Sequence, residues 1–357
     1  MPTIIVADDD DGIRLDRWFQ RHAADTSFNI VSRWARTGAI RLDGAKAAPG
    51  DRIAAGQTLL YPDSLPEPSA ATRARAEVEY REPLSEAQVD YIRGMIIHQD
   101  AHAIVINKPP GLATQGGSGI TTHVDGLLDG LQFEAATRPK LVHRLDKDTS
   151  GVLLLARTAR AAAFFSKSFA GRDAKKTYWA LTIGVPKVEA GEIDAPLSKQ
   201  PGTGGEKMHV DPDGGLKAKT RYRVIDRAAG RAAWVEFSPL TGRTHQIRVH
   251  AAAIGHAIVG DGKYGGKEAF LTGGVSRKLH LHARRLVIDA PDGGKIDISA
   301  DVPNHIGESF ALLGFDPVLG IPLVEIHKSA TPKPKSRRLS SATSGNRRGE
   351  RRSRGSN

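Results

Sequence analysis

The chain has 357 residues, no cysteine, 39% hydrophobic residues and a formal net charge of +11. That length accommodates two domains and a tail at roughly 150 residues per domain. The missing cysteines exclude disulfides, cysteine-ligated zinc and thiol catalysis, and they fit a chain working in a reducing cytoplasm. No apolar stretch approaches the roughly 20 residues of a membrane span. The early run Asp8-Asp9-Asp10-Asp11 is the opposite of a basic, apolar signal peptide. Residues 328–357 hold ten Lys and Arg against one acidic residue, which leaves a surplus of only two in residues 1–327. The basicity is therefore a property of the tail, and net charge alone is weak evidence for a nucleic-acid partner.

In chain order, residues 12–62 read as a small module. Leu15, Trp18 and Phe19 fall at i, i+3, i+4, and Val31, Trp34 and Ala35 repeat that spacing, which predicts two short amphipathic helices. Asp43-Gly44 between Ile40-Arg41-Leu42 and Ala45-Lys46 is a hairpin signal. Arg14, Arg17 and Arg21 share one helix face, Arg33 and Arg36 share another, and Arg41 and Lys46 bracket the hairpin. A solvated helix face would look the same. Residues 63–92, with Pro66 and Pro68 followed by Ser, Ala, Arg and Glu, read as a linker.

A second domain is expected over residues 93–326. Ile96-Ile97-His98 and Ala103-Ile104-Val105-Ile106 predict two strands around a Gln99-Asp100 turn. Gln115-Gly116-Gly117-Ser118-Gly119 is glycine-rich, but neither a Walker A nor a GxGxxG pattern is present. The string His143-Arg144-Leu145-Asp146-Lys147-Asp148-Thr149-Ser150-Gly151 then leads into the apolar run Val152-Leu153-Leu154-Leu155. That run predicts a buried strand and the Asp-Thr-Ser-Gly segment a tight turn. The expectation is a loop presenting His, Arg and Asp, held rigidly at the edge of a sheet. The plainer reading is a surface ion pair between Arg144 and Asp146.

Thr158 predicts a capped helix to about Ala170, with Phe164, Phe165 and Phe169 as its apolar contacts, and Lys176 to Gly184 predicts a strand. Tyr and Trp in such a strand are more often packing than function. Residues 196–218 read as a loop, Ala218 to Ile225 as a strand, and Ala233 to Phe237 as a strand of period two. In Leu240 to His250, Thr244 is the expected N-cap, with Ile247, Ala251 and Ile254 on one helix face. His245 and His250 are five apart and miss the i, i+4 spacing of helical zinc ligands, so they read as ordinary hydrogen-bonding residues and no metal is expected. Residues 327–357 read as a disordered basic tail, either attracting RNA or merely solubilising.

Taken together, these strings resemble the RluA-type pseudouridine synthase family over roughly residues 96–312. The resemblance rests on Asn107-Lys108-Pro109-x-Gly111, on His143-Arg144-Leu145-Asp146 with Thr149-Ser150-Gly151, and on Gly242-Arg243-Thr244-His245-Gln246-Ile247-Arg248-Val249-His250. Gly260-Asp261, Tyr264-Gly265 and Leu279-His280-Leu281-His282-Ala283 follow in the family's order. The helix-helix-hairpin pattern ahead of them resembles the S-four-type RNA-binding domain, and the Gln-Gly-Gly-Ser-Gly loop resembles the branch acting on large-subunit rRNA. The resemblance implies an α+β fold, with a large mixed, mostly antiparallel sheet and a central cleft after a small α/β module. It implies Asp146 as the catalytic carboxylate, Arg144 filling the space a flipped uridine vacates, Tyr178 in the active site, and Arg248 contacting Asp146. Arg14, Arg17, Arg21, Arg33, Arg36, Arg41 and Lys46 would grip RNA phosphates. The partner is then RNA, most simply large-subunit rRNA, met by a monomer with no membrane attachment. Isomerising uridine consumes no oxidant and no outside group, so no cofactor is expected. The alternatives are a tRNA-directed synthase, a catalytically silent RNA-binding or ribosome-assembly factor, and a hydrolase built on Asp146 and His143.

Overall fold

In the N-terminal part, β1 (Thr3–Ile5) is followed by α1 (Leu15–His22) and α2 (Phe28–Thr37). The stripe residues Leu15, Trp18, Phe19, Val31 and Trp34 are buried in one core, as their helical spacing requires. Asp43 and Gly44 join β2 (Arg41–Leu42) to β3 (Ala45–Lys46) with φ of 49° and 80°, the left-handed pair of a two-residue hairpin. With β4 (Thr58–Leu60) the sheet order is β1-β4-β2-β3, so β1, ahead of the expected start at residue 12, belongs to this sheet. The computed structural model describes residues 3–23, 26, 28–62, 83–117, 119–200 and 207–320. The expected tail at 327–357 and most of the expected linker lie outside the described residues.

The last part of that linker is a helix, α3 (Glu86–Arg93). Ser85 caps it through a reciprocal box with Gln88, and Ile92 is fully buried against Leu127, Leu128 and Leu131. With only half-buried Val89 three residues ahead of Ile92, the helix's apolar periodicity is faint, and the Ser85-x-x-Gln88 box is its clearest signal in the sequence.

The main sheet begins with β5 (Ile96–Gln99) and β6 (Ala103–Lys108), followed by the single turn α4 (Val124–Leu127) and β7 (Lys140–Leu141). Next come β8 (Ser150–Ala156), α5 (Ala159–Gly171), β9 (Lys175–Ile183) and β10 (Ala190–Asp194). Within the expected 196–218 loop lies a short hairpin, β11 (Leu197–Lys199) and β12 (Met208–Val210). The chain continues through β13 (Lys219–Ala228), β14 (Ala232–Pro239), α6 (Gln246–Ala253), β15 (Leu281–Asp289), β16 (Lys295–Ser299) and α7 (Asn304–Leu313). The strand order is β10-β13-β14-β9-β15-β8-β6-β5, with β16 added to β15 and β7 to β8.

β8 is an interior strand of this sheet, not an edge. All seven residues are buried, Leu153 and Leu155 in one core and Val152 and Leu154 in another. An unbroken apolar run is what a strand covered on both faces shows. In β14, likewise, Trp234 faces one core with Trp179 and Phe310, while Ala233, Val235 and Phe237 face a second with Ile247 and Ala251.

The two halves of the sheet meet at a seam only two residue pairs long, where β15 and β8 run parallel through His282 with Ser150 and Ala283 with Gly151. Gly151 has φ +110°, and a Cβ there would sit 2.2 Å from the Ala283 carbonyl oxygen. His282 crosses the seam as well. Its Nε2–H donates to the Ala300 carbonyl at 3.0 Å, so Nδ1 accepts from the Ser150 hydroxyl at 2.9 Å. Buried His280 bonds Ser309 Oγ at 2.8 Å through Nε2.

Burial lowers His280 and His282 from 6.5 to about 4, so the folded state binds fewer protons at these rings than the unfolded chain does. Their stabilising contribution is fully present above pH 6.5 and is lost progressively as pH falls toward 4. Denaturant midpoints between pH 8 and 4 should decline through that window, and a flat profile would contradict it. Gly151→Ala should cost roughly 2–4 kcal/mol from the close contact and the left-handed backbone. A midpoint equal to that of the unmodified protein would contradict this.

Candidate active site

The His143-to-Gly151 loop enters β8 directly, so whatever fixes β8 fixes the loop. His143 itself is structural. Its Nε2 accepts from the Leu154 amide at 2.9 Å and its ring stacks on Phe169 at 4.2 Å. Burial, helped by the charge of Lys176, holds His143 down at about 3, so the ring is neutral with its lone pair occupied. It cannot serve as a general base, which removes the basis for the hydrolase reading.

The next residues are held by their backbone. Thr114 Oγ1 donates to the Leu145 carbonyl at 2.7 Å and accepts from the Leu145 amide at 3.1 Å. The Gly111 amide donates to the Lys147 carbonyl at 2.9 Å. Lys108, fully buried, donates to the carbonyls of Pro109, Leu112 and Lys147 at 2.8–3.0 Å. Burial brings its pKa down to about 7, against the opposing fields of Asp148 and Asp146. Three carbonyl acceptors match the three donors of an ammonium, so the geometry favours the charged form.

Asp146 sits between these clamps with its side chain about one-fifth exposed, 20%. Two cavities open onto it, and Arg144, Leu145, Asp146, His245 and Arg248 line both. The first, about 920 Å³, is bounded by Gly116, Gly117, Lys263, Arg277 and Lys278. The second, about 410 Å³, is bounded by Phe169, Lys176, Tyr178, Gly242 and Arg243. Tyr178 pairs with Phe237 and Ala283 across β9, and burial, with the negative charge of Asp146, pushes its phenol up. The phenol therefore stays protonated, which suits a stacking ring and not a base.

One expectation is corrected. Thr244 does not cap α6; His245 does, in the left-handed region at φ 53° and without a side-chain cap bond. The amide acceptor comes from Gln246, whose Oε1 takes the Arg243 amide at 3.0 Å and the Thr241 hydroxyl at 2.6 Å. Arg248 makes a two-point pair with Asp261, at 2.8 Å for both bonds, and lines both cavities together with Asp146. Burial works against its charge, but the Asp261 bonds and the fields of Asp261 and Asp146 keep its pKa raised, so its charge still acts on Asp146.

Spacing alone predicts an ordinary hydrogen-bonding role for His245, while the motif it belongs to points to the active site; its Nε2 lies 3.9 Å from Asp146 Oδ2 and its Nδ1 is 2.7 Å from the Tyr264 hydroxyl. A non-glycine residue held at positive φ beside a carboxylate is a signal that only the folded backbone carries. Arg144, Asp146, Tyr178 and Arg248 are thus brought to one cleft. Arg14, Arg17, Arg21, Arg33, Arg36, Arg41 and Lys46 are exposed on α1, α2 and the hairpin and line neither cavity. Arg14 pairs with Asp16, Arg21 with Asp10, and Lys46 donates to the Arg36 carbonyl. Among the described residues no group of three or more His, Asp or Glu is arranged to hold a metal.

Lys108→Met should leave the Pro109 and Leu112 carbonyls unpaired, strip one of two donors from the Lys147 carbonyl, and cost about 2–4 kcal/mol. It should also lower turnover through a loosened Asp146 loop. Unchanged stability together with unchanged turnover would show that the clamp is dispensable.

The comparisons with known proteins agree with this geometry. The family model for RNA pseudouridylate synthases matches residues 102–253. The ribosomal large subunit pseudouridine synthase C of Rickettsia felis is 33% identical over 302 residues, which cover 83% of this chain and 95% of that protein. The mitochondrial RNA pseudouridine synthase 4 of Arabidopsis thaliana is 32% identical, covering 83% of this chain and 78% of that protein. The structure of human RNA pseudouridylate synthase domain containing 4 aligns with a TM-score of 0.56 at 29% identity, over 64% of this chain and 97% of that one. The chain therefore belongs to the RluA-type pseudouridine synthase family, whose members are isomerases.

Proposed function

We propose that the protein converts uridines of large-subunit rRNA to pseudouridine, with Asp146 as its catalytic carboxylate. The observation that carries the mechanism is the backbone-clamped Asp146 lining two cavities, next to a protonated Tyr178 and the fixed guanidinium of Arg248. The rRNA target is supported by the likeness to the synthase C proteins.

In the reaction the bond from the ribose to the ring nitrogen breaks, the base turns, and its carbon five joins the same ribose carbon. Departure of the base leaves cationic character on the ribose, and an adjacent carboxylate can stabilise it, attack it or take a proton. A fixed positive charge beside a carboxylate favours the ionised form such a step needs. The target uridine must leave the stack. On this reading it enters the smaller cavity and stacks on Tyr178, while Arg144, exposed at the mouth of both cavities, occupies the vacated space. The N-terminal sheet and its two helices act as an S-four-type module, and Arg17, Arg33, Arg36 and Arg41 are exposed there to meet phosphates. The protein works as a monomer, and its target is rRNA rather than tRNA.

Pseudouridine mapping on large-subunit rRNA from cells lacking the protein, complemented with the unmodified gene or with Asp146→Asn, tests this. Sites should vanish on deletion and return only with the unmodified gene. The purified variant should bind rRNA within about twofold of the unmodified protein. Modification restored by Asp146→Asn would remove Asp146 from its role, and dependent sites found only in tRNA would overturn the rRNA assignment.

A further inference from the structure

Lys176 and Tyr178 lie two apart on β9, hence on one face of the strand, and both line the 410 Å³ cavity. Within the described residues no carboxylate comes within ion-pair distance of the Lys176 ammonium, and burial is what lowers its pKa. The neighbouring His143 is neutral, so it offers no negative charge, and its lone pair already takes the Leu154 amide. The other cations on this cavity, all guanidiniums, are differently placed. Arg248 is bound to Asp261, Arg243 donates to the Lys217 carbonyl at 3.2 Å, and Arg144 is exposed. A half-buried cation left without a counter-ion costs stability and persists where a ligand supplies the missing negative charge.

We infer that Lys176 is a further catalytic residue, which donates a hydrogen bond to a carbonyl oxygen of the uracil and stabilises the negative charge the base acquires as it leaves the ribose. The inference rests on the reading of the smaller cavity as the uracil site. When the bond from C1′ to N1 breaks, its electron pair stays on N1 and spreads to the two ring carbonyl oxygens, leaving the ribose electron-poor. When C5 joins C1′, an electron pair of the ring forms the new bond, and the C5 proton is then lost while N1 gains one. Lys176 keeps its own proton throughout and gives only the hydrogen bond. Its role is the counterpart of Asp146, one facing the electron-poor sugar and the other the electron-rich base. A neutral Tyr178 on the same cavity can stack without competing for either charge.

The test is single-turnover conversion on an unmodified large-subunit rRNA transcript by the full-length protein, with Lys176→Met, Lys176→Arg and Asp146→Asn run in parallel. Lys176→Met should slow conversion about 100-fold, the scale for removing one donor to developing negative charge. RNA affinity should stay within about twofold, and Lys176→Arg should restore part of the rate. On a transcript carrying 5-fluorouridine, whose ring anion is more stable, the Lys176→Met deficit in consumption of the target nucleotide should shrink at least fivefold. A purely structural lysine would give equal deficits on both transcripts, and that result overturns the inference. So does a weaker affinity whose salt dependence falls by about one phosphate contact, since Lys176 would then hold the backbone. If Lys176→Met fails to fold, the arginine variant decides alone. A partly restored rate with an unchanged leaving-group response is expected of it, and a rate as low as that of Asp146→Asn, with a melting temperature equal to that of the unmodified protein, overturns the inference. An unmodified protein that leaves the transcript unchanged would instead bring down the uracil-site reading itself.

Discussion

The parallel seam between β8 and β15 is the constraint on which the site depends. Two halves of a large sheet are joined through His282 with Ser150 and Ala283 with Gly151, and the loop carrying Asp146 ends where the seam begins. Because Gly151 has no Cβ, the two backbones approach closely enough for the Ser150 hydroxyl to reach His282 across the join. Beyond the two shared pairs, β15 pairs with β16 while β8 pairs with β6 and β7, and Leu286 and Ile288 pack with Val152 and Leu154 where the two strands diverge. The loop carrying Asp146 enters the join from its other end, at Ser150.

Much of this was legible in the sequence, though often for a different reason from the one the fold reveals. The glycine at 151 marked a turn; what requires it is Ala283, a partner far along the chain that no local pattern announces. The apolar run after it was correctly a buried strand, but its interior place follows from pairings with β6 and β15 that lie far away in sequence. Arg248 carried a recognisable motif position, and so did Asp261, yet nothing in their spacing showed that they pair with each other. His245 and Lys108 were the least visible. Their importance comes from distances to Asp146 and to loop carbonyls, and a residue type alone does not encode a distance.

The electrostatics of the cleft separate groups that carry charge from groups that must not. His143 is held neutral by burial and by its bond to the Leu154 amide, and Tyr178 by burial near Asp146. Neither can exchange protons with substrate at neutral pH, so on the proposed reading proton traffic falls to Asp146 and to solvent. The cations Arg144, Lys263, Arg277 and Lys278 line the larger cavity, although residues 1–327 carry a surplus of only two basic residues. Acidic residues elsewhere are taken up in pairs such as Glu236 with Arg223 and Asp297 with Arg285. The body of the protein can therefore be nearly neutral overall and still present a positive surface to a polyanion where the chemistry occurs.

The clamps around Asp146 act on its backbone neighbours, and that has a consequence for the choice of side chain. Thr114 holds both polar atoms of Leu145, and Lys108 and the Gly111 amide hold the carbonyl of Lys147. The residue between them is thus fixed from both sides. In an aspartate a single methylene separates the backbone from the carboxylate, so a fixed backbone translates almost directly into a fixed carboxylate. A glutamate would add a further rotatable bond and lose that transmission, and rotamer entropy would spread its oxygens over the cleft. Positioning at the scale of an ångström decides rates when the reacting carbon has no covalent tether to the protein. The fold meets that requirement through backbone hydrogen bonds, with the field of Arg248 then acting on a carboxylate already in place.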